Sequence, residues 1–203
     1  YTLASQELDG IERGSEWALL QVSIAYIYNC RFELEKGIST AQQAIPVLET
    51  LGDTSGLIRA YQVIAAWRDL DISEEYSRKS IDLASELGDS RTVAKINAGM
   101  SISLRNAGKL QEAYASLSSS IATMEKLDTS ELGFYYSYKG VIETDMGMFD
   151  VAEQSCQKGV NFAKQIGDHN GEEKGKVWLG IIKFWLGNLH EAHMLMTEGV
   201  SMA

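Results

Sequence analysis

Proline is almost missing from this chain: Pro46 is the only one among 203 residues. Helix interiors exclude proline while turns favour it, so its scarcity points to helices joined by tight connections. Cysteine is nearly as scarce. Cys30 and Cys156 cannot make a disulfide scaffold, and both are expected as free, buried thiols, which suits a cytoplasmic protein. No apolar run approaches the roughly 20 residues that span a bilayer, and no signal-peptide pattern precedes the first repeat. Basic residues are in deficit, 18 against 28 acidic, for a net charge of −10. Nucleic-acid readers need basic surface to replace counterions, and anionic membranes attract the same surface, so neither partner is expected. Signatures of chemistry are lacking too. There is no P-loop and no dinucleotide fingerprint. His190 and His193 stand three apart without a properly spaced third ligand for zinc. Cys30 has no adjacent histidine to activate it. Glu143 and Asp145, two apart on a helix, point in different directions. No catalytic residue, metal site or cofactor is expected, and the chain reads as non-enzymatic.

What the chain does have is a repeat. Leu51-Gly52-Asp53 returns as Leu87-Gly88-Asp89, Leu127-Asp128-Thr129 and Ile166-Gly167-Asp168, at intervals of 36, 40 and 39 residues. Gly37, Ser73, Ala113, Ala152 and Ala192 run in step with it. Two markers sharing one period define a tandem array of one supersecondary unit.

Each interval holds two stretches of helical periodicity. First helices are predicted at about 15–29, 54–68, 90–107, 130–146 and 170–186, and second helices at about 34–50, 72–87, 110–127, 150–166 and 189–202, each boundary good to roughly 2–4 residues. Gly108, Gly147 and Gly187 mark stops between paired helices. Asp53-Thr54, Asp89-Ser90 and Thr129-Ser130 are placed to cap the helices that follow. Pro46 falls inside a predicted helix, where it should bend the helix or remove a hydrogen bond near Gln42.

Stretches such as Asn106-Ala107-Gly108-Lys109-Leu110-Gln111-Glu112-Ala113 and Leu186-Gly187-Asn188-Leu189-His190-Glu191-Ala192 resemble tetratricopeptide (TPR) repeats, in the longer form of about 40 residues found in signalling scaffolds and bacterial regulators. The family's small residue in the first helix matches Ala25, Ser101, Gly140 and Gly180, although Tyr61 breaks the pattern. The late small position of the second helix matches Ala44, Ser80, Ser120, Gly159 and Gly199. The resemblance implies an all-α, TPR-type helical-hairpin solenoid, a right-handed superhelix of about five repeats: 15–53, 54–89, 90–129, 130–168 and 169–203. Leu3-Ala4-Ser5-Gln6-Glu7-Leu8 echoes Leu83-Ala84-Ser85-Glu86-Leu87, so residues 1–14 are expected to be the tail of a truncated preceding repeat, and the chain a fragment of a longer protein.

In this family the first helices line a concave groove. The resemblance therefore implies a partner-binding groove formed by Tyr26 and Asn29, Gln62, Lys95, Ile102 and Arg105, Phe134 and Val141, and Lys174, Ile181 and Phe184. Val22, Ile58, Ala65, Ser137, Thr144 and Val177 fall on the same pattern. Basic residues outnumber acidic ones on the predicted first helices, so the groove should be less negative than the back. The function this implies is a non-enzymatic protein–protein interaction module binding a peptide or helical segment. The alternative is a regulatory or oligomerisation segment of a larger signalling protein, a transcription regulator or nucleotide cyclase, with self-association through the truncated solenoid ends. Two further expectations concern the interior. Lys174, Trp178, Ile181 and Trp185 form a stripe that reads as core. Lys139, Glu143 and Lys183 fall at inward positions, so Glu143 should contact Lys183, Lys139 or both.

Overall fold

The computed structural model describes residues 14–66, 69–127 and 130–201. Ten helices and no strand occur among them: α1 (Ser15–Cys30), α2 (Leu34–Leu51), α3 (Thr54–Ala65), α4 (Leu70–Glu86), α5 (Ser90–Asn106), α6 (Leu110–Lys126), α7 (Leu132–Asp145), α8 (Phe149–Ile166), α9 (His169–Trp185) and α10 (Leu189–Ser201). The expected preceding-repeat tail falls largely outside the described residues, as do residues 67–68, where the second repeat's first helix was expected to continue.

Local chemistry sets the boundaries. Asp53, Asp69 and Asp168 accept from the backbone N–H groups of Gly56, Ile72 and Gly171, capping α3, α4 and α9. Asp89 likewise accepts from the N–H of Thr92 at 3.0 Å. The expected cap before α7 fails. Thr129 lies outside the described residues, and Glu131 takes the cap position without a side-chain bond. Helices α2 and α8 end on Gly52 and Gly167 in the left-handed conformation, which glycine adopts without steric cost. Pro46 does not break α2, which continues to Leu51; the Gln42 carbonyl loses its usual N–H partner there.

The chain divides into two compact units, Tyr1–Ser103 and Leu104–Ala203. In the first, α1 packs on α2, α2 on α3 and α3 on α4, and α1 also touches α3. Its core is Trp17, Ala18, Val22 and Ala25 with Ala41, Ala44, Leu48, Leu57, Ala60, Val63 and Ile64. In the second, neighbouring helices from α6 to α10 pack in sequence and α7 touches α9. In each unit one first helix, α1 or α7, therefore meets both its own partner and the next first helix. Small residues permit this. A Cβ on Gly140 of α7 would come within 2.7 Å of the Ala152 carbonyl oxygen on α8, and one on Gly159 within 2.5 Å of the Gly133 carbonyl oxygen. Among the described residues no helix is long and apolar enough to cross a membrane.

Candidate functional site

In the second unit α7 and α9 lie side by side and bring aromatic rings together. Phe134 and Tyr138, one turn apart on α7, stack with centroids 6.0 Å apart. Trp178 on α9 meets both, at 5.6 Å from Phe134 and 5.7 Å from Tyr138. Tyr135 meets Phe134 edge-on at 5.3 Å. Aromatic pairs at these separations stabilise beyond their buried area, so the patch is stiff.

Two cations bracket the rings. The Arg105 guanidinium lies 5.9 Å from the centre of the Tyr138 ring and its Nε donates to Asp145 at 2.5 Å. Burial works against its charge, but Asp145 and Tyr138 hold its pKa above the ordinary value. At the other end the Lys174 ammonium stands 5.8 Å from the Phe134 ring centre. Lys174 is exposed and makes no ion pair among the described residues. Tyr138 is only 6% exposed, and its hydroxyl makes no hydrogen bond of normal geometry. Burial raises the Tyr138 pKa and the neighbouring guanidinium lowers it. Beyond Trp178, α9 continues the face with Ile181 and Phe184, both exposed, and with Trp185, 61% exposed and stacked on Phe149 at 6.4 Å. The Lys174–Trp185 stripe is therefore not core. Of its side chains, Trp178 packs inward against the rings of α7.

The expected groove residues separate into several groups. Arg105, Phe134 and Lys174 come together in the ring–cation patch, and Val141, half-buried, lies on α7 two turns beyond Phe134. Tyr26 is exposed, and Gln62, Lys95 and Ile102 are half-buried, all in the first unit. Asn29 is misplaced. It is fully buried, and its amide donates to the Val63 carbonyl at 2.6 Å, tying α1 to α3. A Cβ on Gly37 would fall 2.3 Å from its Oδ1, so the missing side chain at Gly37 makes room for the amide. Val22, Ile58, Ala65 and Ser137 are buried too and offer a ligand nothing. Conversely, Tyr138, Trp178 and Asp145 were not expected in the groove. Their signal lay in the repeat register: Arg105 and Asp145, Phe134 and Lys174, and Tyr138 and Trp178 each stand one repeat of 40 residues apart.

A second network lies elsewhere in this unit. The Tyr136 hydroxyl donates to Glu125, Lys158 pairs with Glu125 at 3.2 Å, and the Lys158 ammonium sits 3.9 Å from the Tyr136 ring centre. The hydrogen bond from Tyr136, then that from Lys158, holds the Glu125 carboxyl below its ordinary pKa.

The buried charges meet the expectation at one of its two lysines. Glu143 is fully buried, and Lys139 stands 3.5 Å from its Oε1. Lys183 does not reach it, being occupied by Glu153 and Glu191 at 2.8 Å each. Cys156 is buried as expected, and burial pushes its thiol up to about 12, which keeps it protonated and unreactive. Cys30, the last residue of α1, is exposed, contrary to expectation. Among the described residues no group of three or more His, Cys, Asp or Glu side chains could hold a metal ion.

Solved structures share this architecture at low identity. The Rap protein complexed with competence and sporulation factor superposes with a TM-score of 0.81 at 14% identity, over 98% of this chain and 57% of that one. NprR in complex with its cognate peptide NprX gives 0.72 at 14% identity, over 98% and 61%. A putative kinesin light chain from Podosopora anserina with nearly identical TPR-like repeats gives 0.60 at 15% identity, over 90% and 92%. This chain thus spans less than two thirds of the Rap and NprR structures. No family model matches the chain, and no curated protein does. The fold is that of the TPR-like helical-repeat proteins.

Proposed function

We propose that the chain is a non-enzymatic protein-interaction module, with repeats bounded as the sequence markers place them, and that its second unit receives a peptide or helical segment along the face of α7 and α9. One observation carries the reading. Three rings, two cations and a run of exposed apolar side chains converge on one helix pair, while large apolar residues left open to water mark interaction surfaces. Two of the similar structures hold a peptide or signalling factor, the Rap complex and the NprR complex, which makes a peptide ligand a natural first test.

Affinity capture with the full chain tests the proposal. Lys174→Glu and Phe184→Glu should each weaken capture of the protein's partner by about ten-fold or more, as replacements at a central contact do. Gln154→Lys on α8, exposed and away from the patch, should leave capture unchanged. Equal losses from all three variants would remove the groove from consideration.

A further inference from the structure

We infer that the ring–cation face selects a segment in which acidic side chains flank an apolar one. This rests on the groove reading above and names the chemistry of its ligand. The faces of the ring cluster already hold the protein's own cations, Arg105 over Tyr138 and Lys174 over Phe134. A cationic ligand would have to displace them, so the unspent interaction belongs to the cations. Asp145 takes only the Nε–H of Arg105, and the terminal N–H groups of the guanidinium can serve a further acceptor. Lys174, exposed and without an ion pair among the described residues, can serve another. The Tyr138 hydroxyl, buried beside Arg105, is closed to a ligand, so the contact falls to the guanidinium.

Geometry sets the spacing. Three contacts in series join the cations: 5.9 Å from Arg105 to Tyr138, 6.0 Å between the stacked rings and 5.8 Å from Phe134 to Lys174. About five to six extended residues, at roughly 3.3 Å each, cover that path at most. Two acids two to four positions apart therefore reach both cations, with the side chain between them against Trp178 and its neighbours on the exposed run Ile181 and Phe184. The chain's own charge of −10 opposes long-range attraction of such a segment. The preference is a short-range effect of desolvated charge pairs.

Three pools of fluorescent peptides of about twelve residues, acetylated and amidated so that no terminal charge contributes, test this by anisotropy against the full chain. Each pool fixes a central Leu-Xaa-Phe. The flanking positions carry Asp and Glu, or Asn and Gln, or Lys and Arg. The acidic pool should bind at least about ten-fold tighter than the amide pool, a difference expected of close charge pairs. Lys174→Gln, at an exposed position, should bring the acidic pool close to the amide pool. Equal or tighter binding by the amide or basic pool would overturn the acidic preference and leave the groove reading standing. If no pool binds, the groove reading falls, and this inference with it.

Discussion

At the scale of single residues, Glu143 is the least comfortable group in the molecule. It is fully buried, neither oxygen makes a hydrogen bond of normal geometry, and the nearest cation, Lys139, also lies 5.1 Å from the Tyr114 ring centre. Burial raises its pKa, opposed by Ser155 and Lys139. The folded chain therefore holds this proton at pH values where the unfolded chain has released it. The contribution of Glu143 to stability is full below the ordinary carboxylate pKa and is lost as pH rises through the raised, folded value. Removing the charge should help at neutral pH. Glu143→Gln is predicted to stabilise the protein by about 1 kcal/mol at pH 7, the scale of one unmet buried polar group, with the gain shrinking toward pH 4.5. Thermal melts of both proteins at the two pH values decide it, and a variant less stable than the parent at pH 7 would mean that the Lys139 contact outweighs burial. Glu125 works in the opposite sense. Its pKa is lowered by Tyr136 and Lys158, so its stabilisation is present above the unfolded value and is lost as pH falls through the folded one. Being exposed, it is worth little, and Glu125→Gln should shift the melting temperature only slightly.

At the scale of helices, close approach separates glycines with a packing role from those without one. Gly140 faces the Ala152 carbonyl, where a Cβ would come within 2.7 Å of backbone, whereas a Cβ on Gly99, exposed on α5, would meet nothing within 4 Å. Gly140→Ala should therefore destabilise by about 1–3 kcal/mol through overpacking. Gly99→Ala should stabilise by about 0.5–1 kcal/mol through helix propensity. Denaturant titration of the pair measures both, and a neutral Gly140→Ala would show that α7 and α8 can part without cost. Element boundaries were legible because caps and stops are local: Asp53, Asp89 and Gly167 act within one turn of their own position. The contents of the patch were less legible. The sequence pattern placed Asn29 in the groove, but its amide goes to Val63, which only the packing of α1 on α3 reveals. The register rule that equivalent positions meet holds for Arg105–Asp145, Phe134–Lys174 and Tyr138–Trp178. It fails for Glu143 and Lys183, since Glu153 and Glu191 offer that lysine nearer acceptors.

At the scale of the molecule, a repeat array leaves its helix faces as its working surface, and this chain concentrates rings and open cations on one of them. Repetition made the architecture readable, because phase-locked small residues and turn glycines report packing directly. It hid the ligand for the same reason: a surface residue in a repeat obeys no local rule that names its partner. The proposed partner site is the α7–α9 face, and site-specific photo-cross-linking with benzoylphenylalanine in the full chain, expressed in its own organism, tests it. Placed at Ile181, the label is predicted to give a discrete cross-linked species containing a second polypeptide, and at Gln154 on α8 none. Cross-linking at Gln154 without any at Ile181 would contradict the claim and move the interaction surface to the other side of the helix pair.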